Sequence, residues 1–120
     1  MVKAQGFDAT SQREIQQERV FSDASRYTRR DEIENLKNLL KQHGYKYIDQ
    51  LQDFNGITLL MVAASQSREM DTLKAIVELC KDVNHCDSLG RNALHYAAAA
   101  KNFLFVRYLA SEEVGVDIDK

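Results

Sequence analysis

The sequence predicts an all-α fold, a short solenoid of stacked helix-turn-helix units with an atypical helical cap at its N-terminal end. Three observations predict it. Asp53-Phe54-Asn55-Gly56-Ile57-Thr58-Leu59-Leu60-Met61-Val62-Ala63-Ala64 aligns without a gap on Asp87-Ser88-Leu89-Gly90-Arg91-Asn92-Ala93-Leu94-His95-Tyr96-Ala97-Ala98, at an offset of 34 residues. Self-similarity at such a period is the signature of a stacked repeat. Ile33, Leu36, Leu39 and Leu40 recur at helical spacing and make one apolar stripe. The chain has no proline, so Gly, Asn and Asp must close its turns, which suits short helical units better than a turn-rich sandwich.

In chain order, residues 1–10 carry no periodic pattern and read as an arm. Ser11 and Glu14 fit a capping box, which predicts a helix over 12–24 carrying Ile15, Val20, Phe21 and Ala24. So polar a segment would hardly hold as a free helix, so it packs on the first unit or on a partner. Arg26-Tyr27-Thr28-Arg29-Arg30 is a local basic cluster, which reads either as a phosphate or acidic-protein contact or, in preference, as a solvated turn whose charge is offset by Asp31, Glu32 and Glu34. The stripe predicts a helix over 29–43, with Gly44 as a left-handed C-cap. Residues 45–57 form a loop two residues longer than its counterpart, with an apolar load in Tyr45, Tyr47, Ile48 and Leu51. Thr58 caps a helix over 59–66. Asp71 or Ser67 caps a helix over 71–80. Gly90 makes a tight bend, Asn92 caps a helix over 93–100, and Asn102 starts a last helix to residue 110.

The totals bound the function. A chain of 120 residues makes one domain at most. With 44% apolar and 28% charged residues, it reads as a globular, intracellular, cytoplasmic protein. A net charge of −2 argues against a dedicated nucleic-acid binder. No apolar run approaches a membrane span, so no membrane insertion is expected. The two cysteines, Cys80 and Cys86, make no disulfide framework.

Little chemistry is legible. Cys80 and Cys86 lack the short paired spacing of a zinc site. No oriented partner is evident that would make His95 a general base, and the five glycines are scattered singly rather than forming a phosphate cradle. No catalytic residue, metal or cofactor is expected, and the chain reads as no enzyme.

The repeated stretch resembles the ankyrin repeat, whose unit runs roughly D-x-x-G-x-T-P-L-H-x-A-A, then a second helix, then G-A-D-V-N. Lys81-Asp82-Val83-Asn84 matches the closing run, and Gly115-Val116-Asp117-Ile118-Asp119 repeats it loosely. The resemblance implies units over 53–86 and 87–120 and a degenerate unit over 28–52, preceded by an arm and helix over 1–27. The motif proline is replaced by Leu59 and Ala93. The motif Thr and His are split between Thr58 with Met61 and Asn92 with His95, so the family's hydrogen bonds are expected to be half available. Asn84, eight residues after aliphatic Ile76, is similar to the asparagines hydroxylated in many ankyrin repeats, or simply closes its turn.

The family's variable contact positions flank the motif Gly and follow the Ala pair. They fall on Phe54, Asn55, Ile57, Ser65 and Gln66 in one unit, and on Ser88, Leu89, Arg91, Ala99 and Ala100 in the next. Phe54, Ile57 and Leu89 would form an apolar patch with Arg91 beside it, unless the loop over 45–51 folds across Phe54 and Ile57. The resemblance implies a non-catalytic protein-interaction module, a structural subunit or adaptor binding one or more proteins, or a large assembly, through tips, concave face and arm. The alternative is a regulatory ankyrin segment of a larger enzyme or channel, which the stop where a further unit would begin invites.

Overall fold

The computed structural model describes residues 9–116, with side chains from residue 17 onward. Six α-helices follow one another among the described residues: α1 Ala9–Arg29, α2 Ile33–Gln42, α3 Leu59–Gln66, α4 Met70–Glu78, α5 Ala93–Ala99 and α6 Phe103–Leu109. One 3-10 turn, Ile48–Gln50, sits in the long loop. Residues 1–8, most of the arm expected over 1–10, and residues 117–120 lie outside the described residues.

Helices α1, α3 and α5 pack side by side with α3 in the middle, and α2, α4 and α6 each back onto their own partner. This is the expected stack. Close approach along the inner row rests on small residues: Ala24, Ala63, Ala64, Ala93 and Ala97 are all buried. Leu36, Leu59, Leu73, Ile76 and Leu109 fill the space between rows. Of the long loop, Ile48 and Leu51 are fully buried, so its apolar load covers the helices below.

The N-terminal helix differs from expectation at both ends. It begins at Ala9, ahead of the Ser11 expected to cap it, and it runs to Arg29. The stretch 26–29 is therefore helix rather than turn, and α2 starts at Ile33 rather than 29. Thr28 does not break the helix because its buried hydroxyl donates to the Ala24 carbonyl at 2.8 Å. Arg26 and Arg29 fall in the last turn, where cations suit the helix dipole.

The helix stops at Asp31, which adopts φ +59 without being glycine. Glu32 N–H returns to the Tyr27 carbonyl at 2.8 Å. A left-handed backbone costs an ordinary residue roughly 1–2 kcal/mol, and here the Asp31 side chain gains a compensating role. Its carboxylate accepts from the Ser67 hydroxyl at 2.5 Å, and the nearby Thr72 hydroxyl and backbone N–H groups of Arg68 and Glu69 also favour its charged form. Burial pushes its pKa up, but these donors win and hold it below the usual carboxylate range.

Asp31 thus ties the end of α1 to the segment before α4 across 36 residues of sequence. Neither Ser67 nor Asp71 is the cap: the N-cap residue is Glu69, which makes no side-chain cap bond. Ser67 accepts from Glu69 N–H at 3.3 Å and donates its own hydroxyl hydrogen bond to Asp31. We expect Asp31→Ala to destabilise the fold by about 1.5–3 kcal/mol, the usual range for a lost hydrogen bond to a charged group, as read by urea denaturation.

Candidate interaction surface at the hairpin tips

Each helix pair is joined to the next by a tip built on one aspartate. In the first tip, Asp53 Oδ1 accepts from Asn55 N at 2.8 Å and Ile57 N at 2.9 Å. In the second, Asp87 Oδ1 accepts from Leu89 N and Arg91 N, both at 2.9 Å. Gly56 and Gly90 turn the chain at φ +75 and +77. A bond from Ser88 N to the Asn55 carbonyl, 2.8 Å long, fastens one tip to the other. A Cβ at Gly56 would lie 3.4 Å from the Asp87 Cα, so the two tips are in close contact, but it is the positive φ that calls for glycine there.

Behind each tip the helix cap is double. Thr58 Oγ1 accepts from Met61 N at 3.5 Å, and Thr58 N–H points at Met61 Sδ, also at 3.5 Å. Asn92 Oδ1 accepts from His95 N at 3.2 Å, and Asn92 N–H reaches His95 Nδ1 at 3.1 Å. Both units therefore keep the reciprocal cap, where half was expected. A methionine sulfur stands in for the imidazole in one unit, and an asparagine for the threonine in the other. His95 is held in this cap, a structural role.

Further ties hold the stack in register. Asp49 accepts from Lys81 N and Asp82 N at 3.2 and 2.9 Å. One unit later Asn84 Nδ2 donates to the Gly115 carbonyl at 3.3 Å. Lys74 lies over the Tyr108 ring, 5.6 Å from its centre.

The two tips differ in one respect. Asp87 is buried, and its second oxygen accepts from Arg91 Nε at 2.9 Å and from the Tyr96 hydroxyl. Arg91 also stacks on the Tyr96 ring, 5.1 Å from its centre. Burial would raise the Asp87 pKa, but the Tyr96 hydroxyl, the Arg91 backbone and side chain and the Leu89 N–H hold it well below the usual range. Burial and the neighbouring Asp87 carboxylate push the Tyr96 hydroxyl up to about 12. In the first tip the matching positions carry Ile57 and Val62.

Phe54 and Leu89 stand out from the two tips, 78% and 74% exposed. The long loop does not cover Phe54. Ile57 is half-buried and Ser65 is too, its hydroxyl donating to the Met61 carbonyl at 3.1 Å. Asn55, Gln66, Ser88, Arg91, Ala99 and Ala100 are exposed, while Asn84 is half-buried.

Residues that the sequence reading did not connect to the tips meet there. Between α1 and the first tip lies a cavity of about 410 Å³ lined by Gln17, Glu18, Gln50, Gln52, Asp53 and Phe54. A second, of about 350 Å³, shares Glu18, Asp53 and Phe54 and continues along α1 past Phe21, Ser22, Ser25 and Arg29. The only available signal was that Glu18, Phe21, Ser22 and Ser25 recur at helical spacing in a segment too polar to stand alone.

No reactive group emerges at the cysteines. Burial pushes the Cys80 thiol up to about 12, and the carboxylates of Asp49 and Asp82 add to it, so it stays protonated and poorly nucleophilic. Among the described residues no group of three or more His, Cys, Asp or Glu side chains is placed to hold a metal ion. No helix among them is long and apolar enough to cross a membrane.

Comparison with known proteins agrees with this geometry. The family described as ankyrin repeats (3 copies) matches residues 23–120. The chain is 38% identical over 91 residues to the tyrosine-protein kinase Shark of Drosophila melanogaster, spanning 76% of this chain and 9% of the kinase. Among solved structures it is similar to one chain of the complex between the predatory endopeptidase Bd0816 from Bdellovibrio bacteriovorus and the immunity protein Bd3460. That match has a TM-score of 0.65 at 22% identity, over 80% of this chain and 47% of the other, and it bears on the fold alone. Ankyrin repeats are in general non-catalytic modules that bind other proteins. The helix-turn-helix stack, the Asp-Gly tips and the family match over 23–120 agree: the chain belongs to the ankyrin repeat family.

Proposed function

We propose that this chain is a non-catalytic interaction module, a subunit or adaptor that binds a protein partner through its tips and the concave face beside them. The observation that carries this reading is the pair Phe54 and Leu89. Neither side chain serves the fold, since each is about three-quarters exposed, yet both sit on tips tied rigidly together by the Ser88–Asn55 bond. Large apolar groups fixed on a preorganised frame bury area on binding at little entropic cost. Arg91 lies beside Leu89 as a polar anchor, already oriented by Asp87. The N-terminal arm would extend the contact, which is a common use of such segments.

The test is recovery of partners from the native source with the wild-type chain and with Phe54→Ser/Leu89→Ser. Anchors of this kind typically cost about 1–2 kcal/mol each when removed, so recovery should fall by more than about tenfold. Unchanged recovery would sink the reading. Because both side chains are exposed, folding should survive the change.

A second reading is favoured by one observation, the similarity to a kinase of which this chain spans 9%. On that reading the repeats regulate an enzyme or channel and are a small part of it. Transcripts joining this sequence to a catalytic or pore region would decide for it.

A further inference from the structure

The two tips pose a chemical contrast. Asp87 has four donors: two backbone N–H groups on Oδ1, and Arg91 and Tyr96 on Oδ2. Asp53 has the same two backbone donors on Oδ1, but the positions of Arg91 and Tyr96 are occupied by Ile57 and Val62. Among the described residues no side chain bonds the second oxygen of Asp53. That carboxylate faces a cavity shared with Glu18, with the exposed Phe54 ring on its wall.

We propose that the groove between α1 and the first tip receives an arginine side chain from the partner protein, with Asp53 and Glu18 as its counter-charges. The inference rests on the interaction reading above and names the chemistry of the contact. The incoming guanidinium would do for Asp53 what Arg91 does for Asp87. The repeat itself shows the chemistry: Arg91 bonds the carboxylate through Nε and the Tyr96 hydroxyl through Nη2, with its guanidinium carbon 5.1 Å from the Tyr96 ring centre, and at the first tip Phe54, from a different position of the repeat, offers an aromatic face.

Three further features fit. Gln17, Gln50 and Gln52 line the same cavity without adding a cation. A planar, delocalised guanidinium suits such a site, with paired carboxylates and an aromatic wall, better than a compact ammonium does. In the adjoining cavity Ser25 is 5% exposed, and its hydroxyl is buried with no hydrogen-bond partner. A buried hydroxyl without a partner is costly, and a small shift of the side chains around it as a polypeptide binds along α1 would open it to a backbone carbonyl. Arg29, the one cation lining that second cavity, does not line the first.

The probe is N-acetyl-arginine amide, compared with its neutral isostere N-acetyl-citrulline amide, by amide NMR on the full chain. We expect saturable shifts at Gln17, Glu18 and Gln52–Asn55 with the arginine compound. Citrulline should bind roughly tenfold more weakly, as should arginine on Glu18→Gln/Asp53→Asn, since each comparison removes a charge-assisted pair. Asn at 53 still offers a carbonyl oxygen to the backbone N–H groups, so the tip should hold. Glu18→Gln alone, on the surface of α1, gives a partial loss that does not involve the tip.

Equal response to both compounds, no response at these amides, or a response unchanged by the charge removals would each overturn the inference. The interaction reading is judged separately. If Phe54→Ser/Leu89→Ser abolishes partner recovery while these titrations fail, the module stands and the arginine does not.

Discussion

Replacing Leu59 by Ala is expected to lower the unfolding free energy by about 2–5 kcal/mol, the usual cost of truncating a fully buried leucine. Domains of ordinary size are stable by only about 5–15 kcal/mol, so this would remove a large share. The position makes the effect severe. Leu59 is 0% exposed and lies at the first position of α3, the helix that packs against α1 on one side and α5 on the other. In a stack, stability is a sum of units and their shared faces, so a cavity at the middle helix weakens both neighbours together. The contrast is Leu104→Ala on α6. Leu104 is 69% exposed, and surface changes of this kind stay within about 0.5 kcal/mol. Urea denaturation followed by circular dichroism checks both. A loss at Leu59 no larger than that at Leu104 would mean that α3 is not the centre of the core.

The elements readable in advance share a physical character. Helices α3 and α5 matched expectation almost to the residue because their start signals are local. A glycine at positive φ, one residue on and a capping Thr or Asn lie within a few positions of each other. The family resemblance found the same places. At α1 the signals misled. Thr28 looks like a turn residue, but its hydroxyl bonds back into the helix. The stop is an aspartate in the left-handed region, where a glycine would have announced itself. Whether Asp31 tolerates that conformation depends on Ser67, Thr72 and the start of α4, which no window of sequence around residue 31 contains.

The site divides along the same line. That Phe54 and Leu89 stand exposed on the tips was legible because the motif fixes where its tips are, and large apolar groups are not needed there. Glu18 and Ser25 were not, since only the packing of α1 on α3 brings them beside the first tip. The contrast between Asp53 and Asp87 was written in the sequence as Ile57 and Val62 against Arg91 and Tyr96. It acquires meaning only once the fold shows that both partners of Asp87 converge on one oxygen.

Asp87 also predicts how the fold responds to pH. Its folded pKa is depressed below the ordinary aspartate value, which is near 3.9. By linkage, a depressed carboxylate contributes stability that is fully present above its unfolded pKa and is lost as pH falls toward the folded value. The chain should therefore lose stability below about pH 4. Asp31, shifted in the same direction, adds to this limb. Tyr96 has the opposite sign. Its pKa is raised to about 12, so its contribution is complete below the unfolded value near 10 and is lost as pH rises through the folded one. Asp87→Asn keeps a carbonyl oxygen for the backbone donors but turns an amide toward Arg91 and Tyr96. Losing charge-assisted bonds at a buried site should cost about 1.5–3 kcal/mol at neutral pH. It should also shallow the acid limb without abolishing it, because Asp31 remains. Tyr96→Phe should shallow the alkaline limb, which Tyr108 and Cys80, also raised, share, and it should weaken the acid limb as well, because the Tyr96 hydroxyl is one of the donors that depress Asp87. Urea midpoints measured at acid, neutral and alkaline pH distinguish these cases. An acid limb unchanged in Asp87→Asn would mean that the carboxylate, although buried, draws no net stability from its four donors, and the second tip would then be no better satisfied than the first.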